Sequence, residues 1–186
     1  MLMQNEKGGK ATQSGDITRT LTNTLQQIQD KDPELKKSLE AIKIENGAEL
    51  PTTDNKKCYL VHVSSTSQDA LNKAHSNMVK KLEQKLGHSV VIVPARKRIN
   101  GNLYRKYRGK KVPRTETLTY VYDALLQDVV YPAAVIGKRI RYPKTKARSF
   151  KVIVDKTDKD TIDYKLNAIT ASYKALTNRD LTVEFN

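Results

Sequence analysis

Apolar residues near the N-terminus recur at the spacing of an α-helix. They follow one another at intervals of four, four and three residues: Ile17, Leu21, Leu25 and Ile28. This spacing predicts an amphipathic helix with Asp16 as its N-cap. Residues 1–15 are polar and have no apolar period, so they are expected to form a flexible arm. The segment Asp32-Pro33-Glu34 predicts the start of a second helix, because proline is favoured in the first turn, and Asn46-Gly47 is expected to end it. The two helices would form a hairpin that packs on the main body.

Between residues 57 and 94 the pattern changes from strand to helix and back. Residues 58–63 and 89–94 are apolar runs rich in β-branched residues, which predicts two strands. The intervening residues 65–86 carry apolar positions at helical spacing and end at Gly87, a residue suited to the left-handed conformation that closes helices. A strand, a helix and a strand in about forty residues predict a βαβ unit with parallel strands.

The last third of the chain predicts further elements around a basic loop. Residues 99–113 have no apolar period and are expected to project from the body. A helix is predicted from about Glu116 to Val130, with Thr115 as its cap and Leu118, Val121, Leu125 and Val129 facing inward. Residues 138–142 and 150–155 predict a β-hairpin. A helix over 158–176, a left-handed residue at Asn178 and a strand at 181–185 complete the chain.

These elements predict an α/β (α+β) fold with a mixed sheet of five strands, packing helices and no internal repeat. Residues 16–186 are expected to form one domain, with the basic loop at 96–114.

Nearly all of the net charge of +14 lies in one third of the chain. Between Pro94 and Lys151 there are sixteen Lys or Arg residues and three acids, for a net charge of +13, so the remainder carries only +1. Like charges at this density repel one another, and a polyanion relieves that repulsion. Release of counterions from a nucleic-acid backbone is the strongest common reason for such a surface.

Two stretches of this region contain no acid and form the candidate RNA-binding surface. The first carries nine cations and two tyrosines, whose rings can stack on unpaired bases: Arg96, Lys97, Arg98, Tyr104, Arg105, Lys106, Tyr107, Arg108, Lys110, Lys111 and Arg114. The second lies on and around the predicted hairpin: Lys138, Arg139, Arg141, Lys144, Lys146 and Arg148. Alternation along a strand is expected to place Arg139 and Arg141 on one face and Ile140 on the other.

Metal-dependent or nucleophilic chemistry has little support in the sequence. Cys58 and His62 would share a strand face, but no second Cys/His pair accompanies them and nothing near Cys58 marks an activated thiol. Four acids could bind Mg²⁺, yet lysines interleave them and they open a helix, with Asp158 as its N-cap: Asp155, Asp158, Asp160 and Asp163. No catalytic residue, metal or cofactor is therefore predicted.

The chain lacks the marks of an exported or membrane protein. Cys58 is the single cysteine, which excludes an intrachain disulfide and fits a reducing compartment. Polar residues follow Met1-Leu2-Met3 at once, unlike a signal peptide, and no apolar run approaches the roughly 18 residues of a membrane helix. A soluble cytosolic or nuclear protein is expected.

Three segments resemble one family. Residues 90–99 (VVIVPARKRI) resemble the strand and basic corner of the eukaryotic small-subunit ribosomal protein family seven, which is unrelated to the bacterial protein of the same number. Residues 117–132 followed by 136–141 (IGKRIR) are similar to its most recognisable segment, and residues 173–180 with 183–185 resemble its ending. Asn178 stands where the family usually has glycine.

The resemblance implies a structural, non-enzymatic constituent of the cytosolic 40S subunit. Such a protein would bind 18S-type ribosomal RNA, contact neighbouring 40S proteins, and support small-subunit assembly and translation, with assembly in the nucleus or nucleolus. It implies no small-molecule substrate and no membrane. The alternative is a free RNA- or DNA-binding regulator outside the ribosome, which would share the charge but should carry a sequence-reading module.

Overall fold

The computed structural model describes residues 9–31, 39–52, 57–99, 107, 111, 113–142, 144 and 148–186. In these ranges the helices are α1 Gly9–Lys31, α2 Gln68–Leu86, α3 Leu118–Val130, α4 Lys159–Ile162 and α5 Leu166–Thr177. The strands are β1 Ile44–Pro51, β2 Lys57–Val63, β3 Ser89–Pro94, β4 Val135–Arg141, β5 Ser149–Val154 and β6 Asp180–Phe185. Short 3₁₀ turns lead into α2, α3, α4 and α5: Ser65–Ser67, Arg114–Glu116, Lys156–Asp158 and Asp163–Lys165.

The strands form two three-stranded sheets of the same topology. Sheet A has the order β1-β2-β3, and sheet B has the order β4-β5-β6. In each sheet the first two strands form an antiparallel hairpin, whereas the second and third strands are parallel and joined by a helical crossover. In each, the register shifts after the first residue of the first strand, so that one extra residue bulges out: Glu45 in sheet A and Ile136 in sheet B.

The two sheets repeat one arrangement at an offset of 91 residues. Cys58 pairs with Ser89 in sheet A, and Ser149 pairs with Asp180 in sheet B, a separation of 31 residues in both cases. Ser149 lies 91 residues after Cys58, and the same offset relates the bounds of β3 and β6. No insertion or deletion therefore separates the two sheets in their paired strands.

The crossover helices end in the same way in both copies. Gly87 follows α2 with φ of 69°, and Asn178 follows α5 with φ of 56°, so both residues close their helices in the left-handed conformation. We define residues 39–95 as the first unit and residues 130–186 as the second. Only four of the 57 equivalent positions carry the same amino acid, so the repeat is visible in the backbone but not in the sequence.

Helices and sheets alternate through the molecule in four layers. Helices α1 and α2 cover one face of sheet A and enclose a first core, which includes Leu21, Met78 and Ile92. The opposite face of sheet A, helices α3 and α5, and one face of sheet B enclose a second core, which includes Leu60 and Val152. Within the described residues, sheet A is therefore covered on both faces and sheet B on one.

The structure confirms the α+β class, the parallel β2–β3 pair and the basic hairpin of β4 and β5. It replaces the predicted single five-stranded sheet by six strands in two sheets. Leu118, predicted to face inward, is exposed, and α3 begins after Thr117 rather than after Thr115. The helix predicted over 158–176 is broken by the 3₁₀ turn between α4 and α5.

The N-terminal prediction is wrong in two places. Helix α1 begins at Gly9, so residues 9–15 of the predicted arm are helical, while residues 1–8 lie outside the described residues. Residues 44–51 form β1 instead of ending a second helix, of which only Leu39 and Glu40 are described. Gly47 lies inside β1, where an added Cβ would lie 2.6 Å from Cδ1 of Leu21. Glycine thus permits the close approach of α1 to β1.

No helix in the described part of the chain has both the length and the apolar character needed to cross a membrane.

Candidate nucleic-acid interface

The outer face of sheet B, which no described helix covers, carries three cations. Strand pairing places Arg139 opposite Lys151 and Arg141 opposite Ser149, so these side chains share the face turned away from α3 and α5. Arg139 and Arg141 are exposed and form no salt bridge with another described residue. Lys151 donates to Glu184 on β6. Together with Arg141 and Arg139, this contact lowers the pKa of the Glu184 carboxyl, so one acid lies among three cations.

The equivalent face of sheet A is apolar. The residues 91 positions before Arg139, Arg141 and Lys151 are Ala48, Leu50 and Leu60. Leu60 is buried and Leu50 packs against the second core. On the third strand, Thr182 and Glu184 of sheet B stand where sheet A has the buried residues Val91 and Val93. The same backbone therefore presents a helix-binding face in one unit and a charged, solvent-exposed face in the other.

The predicted alternation around Ile140 is confirmed by the strand register. Ile140 pairs with Phe150, which lies on the core side of β5, whereas its neighbours Arg139 and Arg141 face outward. Lys138 also lies on the helix side, where its Nζ is 2.5 Å from Oδ1 of Asp123 on α3. Lys138 thus differs from the other cations of this strand, because its charge is already paired.

The tip of the hairpin adds exposed groups to this surface. Lys144 and Arg148 are both exposed. The guanidinium carbon of Arg148 lies 4.9 Å from the ring centroid of Tyr142, in cation–π contact. Sequence reasoning did not assign Tyr142 to the interface. Its position beside two basic residues, at the end of a predicted strand, was the signal that could have found it.

Part of the first basic stretch is described and exposed. Lys97 and Arg98 follow β3, and Arg114 opens the 3₁₀ turn before α3. These residues, Tyr107 and Lys111 are exposed, and none of the four cations forms a salt bridge with another described residue. The remaining predicted residues lie outside the described part of the chain and stay predictions: Tyr104, Arg105, Lys106, Arg108, Lys110 and Lys146.

Arg96 is held in a structural contact. Its Nε and Nη2 lie 2.7 and 2.8 Å from the two carboxylate oxygens of Asp128, which makes the pair bidentate. The side chains are 23% and 15% exposed. This geometry fastens the end of β3 to α3, and charge-assisted bidentate pairs of this kind are the strong ones. The structure therefore places Arg96 between the end of β3 and α3, with its charge already paired.

Two of the four acids weighed for metal binding, Asp155 and Asp158, accept hydrogen bonds from backbone groups. Asp155 Oδ1 accepts from Thr157 N at 3.3 Å and so caps the 3₁₀ turn Lys156–Asp158. Asp158 stands at the predicted N-cap position of α4, but its side chain forms no capping hydrogen bond there. Asp158 Oδ2 instead accepts from Ala134 N at 3.3 Å. Among the described residues, no group of three His, Cys, Asp or Glu side chains lies close enough together to hold a metal ion.

Two groups with catalytic potential, Cys58 and His75, are buried. Burial raises the pKa of the Cys58 thiol, whose Sγ lies 3.7 Å from Oγ of Ser172. Burial and the nearby Lys165 lower the pKa of His75 to about 4. The enclosed space beside His75 measures about 10 Å³, roughly the room for one water molecule.

The comparisons with known proteins agree on one family. The family model described as ribosomal protein S7e matches residues 5–185. A relative from Hordeum vulgare, small ribosomal subunit protein eS7, is 31% identical over 98% of this chain and 93% of its own length. The proteins of the same name from Anopheles gambiae and Schizosaccharomyces pombe are 40% and 33% identical, over 71% and 87% of this chain and 70% and 83% of their own lengths. The chain with two stacked units and one exposed basic sheet therefore belongs to the ribosomal protein S7e family of the eukaryotic small ribosomal subunit.

Proposed function

We propose that this protein is a structural constituent of the cytosolic 40S subunit that binds 18S-type ribosomal RNA. In this role it supports small-subunit assembly, which takes place in the nucleus or nucleolus, and translation. Neighbouring 40S proteins are its other partners. No catalytic step is part of this role.

One observation carries the RNA-binding part of this proposal. Arg139, Arg141 and Lys151 stand on the outer face of sheet B, where the equivalent face of sheet A has apolar side chains packed under helices. Burial of these cations under an apolar layer would cost on the order of several kcal/mol per unpaired charge, because each charge would lose its hydration. A polyanion is the partner that such a face fits, because phosphates neutralise the cations and release their counterions.

The exposed cations extend beyond that face. Lys144 and Arg148 continue it along the hairpin, and Lys97, Arg98 and Arg114 add a second group near the end of β3. Contacts of this kind position a protein on a nucleic-acid backbone without reading its sequence. This favours RNA recognition by charge and shape, as in a ribosomal protein, over recognition by a sequence-specific regulator.

Sedimentation with ribosomal subunits tests the ribosomal role. We expect the tagged protein to move with 40S subunits through a sucrose gradient, and its depletion to reduce the amount of free 40S subunits relative to 60S subunits. A protein that stays at the top of the gradient while binding one short RNA sequence selectively would favour the regulator instead.

The salt dependence of RNA binding tests the electrostatic mechanism. With about five phosphate contacts, log K should fall against log salt with a slope of roughly −3.5 to −4.5. Changing Arg139, Arg141 and Lys144 together to Gln should make the slope shallower by about 2 to 3, because each lost phosphate contact removes roughly 0.7 to 0.9.

The matched control removes the same number of charges elsewhere. Lys43, Lys73 and Lys80 are exposed and lie in the first unit, Lys73 and Lys80 on the helix layer farthest from sheet B. Their joint change to Gln should leave the slope nearly unaltered. Equal effects of the two triple variants would mean that only net charge matters and would refute an interface on sheet B.

A further inference from the structure

The most exposed large apolar or aromatic side chain among the described residues is Tyr142, at 66%. It directly follows β4 at the base of the hairpin turn, between Arg141 and the exposed Lys144. Arg148 lies over one face of the ring, and among the described residues no other ring or cation contacts it. An aromatic side chain at this position contributes little to the core, because the solvent reaches most of its surface.

Strand register explains why Tyr142 and Arg148 meet. Arg141 pairs with Ser149 at the end of the ladder, so Tyr142 and Arg148 are opposite each other one step further along the hairpin. In the first unit the equivalent residues, Pro51 and Lys57, are Cα partners within the sheet. Pro51 is not aromatic, so the ring is peculiar to the unit that carries the basic face.

The pair offers two complementary contacts to one nucleotide. A guanidinium that stacks on an aromatic face keeps its N–H donors in its own plane, where they remain available to a phosphate. The opposite face of a tyrosine ring can stack on a base, and every base has such a face. Arg141 and Lys144, which are exposed before and after Tyr142 in the sequence, add the electrostatic attraction that brings a nucleic-acid backbone to this point.

We propose that Tyr142 stacks on an unpaired RNA base while Arg148, on the other side of the ring, contacts the adjoining phosphate. This inference rests on the proposed RNA-binding function and adds a residue to it. The base must be unpaired, because bases inside a helix already stack on their neighbours on both faces. The hairpin tip therefore selects single-stranded RNA, such as a loop or bulge, whereas the cations of sheet B act on any RNA backbone.

Two variants of Tyr142 and two RNA probes test this assignment. Tyr142→Phe keeps the aromatic ring, and Tyr142→Leu keeps an apolar side chain without a π face. The probes are a short single-stranded oligouridine with one central 2-aminopurine and an RNA duplex of similar length. We expect Tyr142→Leu to weaken single-strand binding about tenfold, to leave duplex binding and the salt slope unchanged, and to abolish quenching of 2-aminopurine. Tyr142→Phe should behave like the wild type.

Tyr164 provides a matched control. It is 61% exposed, and Lys165 Nζ lies 5.2 Å from its ring centroid, but its hydroxyl donates to Glu83 rather than lying in a basic surface. Tyr164→Leu should not change affinity for either probe. The comparison of Tyr164→Leu with Tyr142→Leu therefore shows whether the loss of affinity depends on the position of the ring or follows from the loss of any exposed tyrosine.

Three outcomes would overturn the proposal. Wild-type affinity of Tyr142→Leu for the single strand would exclude a stacking contact. An equal loss on both probes with a lower unfolding temperature would show that the ring only closes the hairpin. Salt-independent or absent binding by the wild type would instead refute the proposed RNA-binding function itself.

Discussion

Sheets A and B have the same strand order, the same bulge and the same register, yet only one of them is enclosed. In sheet A the residues Leu50, Leu60 and Val91 face helices α3 and α5. In sheet B the equivalent residues are Arg141, Lys151 and Thr182, and no described helix lies on them. The backbone therefore does not decide whether a sheet face becomes core or surface. A few side chains decide it, because apolar groups gain from burial and charged groups lose.

Proteins built of stacked repeats also carry a polar outer face on their terminal unit, because that face is in contact with water. Here the polar end is also strongly cationic, which exceeds what solubility requires. The face of sheet A thus stabilises the molecule, whereas the outer face of sheet B is available to a partner.

A pair of isoleucines should show the largest contrast between the two regions. Ile92 lies in β3 at 2% exposure, and Ile136 bulges from β4 at 57%. Ile92→Ala should reduce the free energy of unfolding by about 2–5 kcal/mol, because it leaves a cavity in the first core. Ile136→Ala should change it by less than about 0.5 kcal/mol. Urea unfolding of both variants checks this, and similar losses would show that the Ile136 side chain is covered after all.

Acid should weaken the covered region through His75. Its folded-state pKa of about 4 lies below the usual value of 6.5, so the unfolded state binds more protons between these pH values. The free energy of unfolding should therefore fall as the pH is lowered from about 6.5 towards 4, by at most about 1.4 kcal/mol per pH unit. Burial also lowers the pKa of His62, which adds to the loss.

The variant His75→Leu isolates this contribution, since the equivalent residue of the second unit is Leu166. Between pH 7 and 5 it should lose less stability than the wild type when both are unfolded in urea. Identical pH profiles would mean that His75 is accessible to protons in the folded state.

Two arginines should respond in opposite ways. Arg96→Gln leaves the largely buried Asp128 without its partner and should reduce the free energy of unfolding by about 1–2 kcal/mol. This is less than for a fully buried pair, because both side chains are partly exposed to solvent, which screens their charges. The variant should leave the salt slope of RNA binding unchanged. Arg139→Gln should reduce the slope by about 0.7 to 0.9 with little loss of stability. Measurement of both properties on both variants decides this, and a shallower slope in Arg96→Gln would return Arg96 to the interface.

The two helix ends should give the smallest contrast. Gly87→Ala places a Cβ at φ of 69° and should cost about 1 kcal/mol. Asn178→Gly, at φ of 56°, should change stability by less than about 0.5 kcal/mol, because asparagine already tolerates this conformation. Thermal unfolding distinguishes the two variants. If Asn178→Gly destabilises the protein as much as Gly87→Ala does, the side chain of Asn178 has a further structural role.

Sequence patterns predicted those elements that carry an apolar, β-branched run or a helical period. Strands β2, β3, β5 and β6 and helix α2 were predicted with bounds close to the observed ones, because apolar runs mark the strands and apolar positions at helical spacing mark the helix. Strand β1 was missed, since Asn46, Gly47 and Pro51 lack the composition of a strand and its stability comes from pairing with β2 and packing under α1.

The pairing of strands into two sheets could not be predicted from one sequence. Strand partners depend on contacts far apart in the chain, and the two units share only four residues at equivalent positions. Part of the geometry of the candidate interface could be predicted. Strand alternation correctly placed Arg139 and Arg141 on one face. The ion pairs of Arg96 and Lys138 could not be predicted, because their acids come from α3, which meets these residues only through the tertiary fold.

The bulges at Glu45 and Ile136 determine where each hairpin can change its length. Residues on either side of a bulge keep their partners if the extra residue is removed: Ile44 and Asn46 would still face Val63 and His62, and Val135 and Gly137 would still face Val154 and Ile153. Loss of a residue between Lys138 and Arg141 would instead shift the register of β4 by one. The side chains on one side of the deletion would then change faces, and cations would turn towards the helices. Within β1 and β4, single-residue deletions in natural or engineered variants should therefore accumulate at these two positions and be absent from the rest of β4.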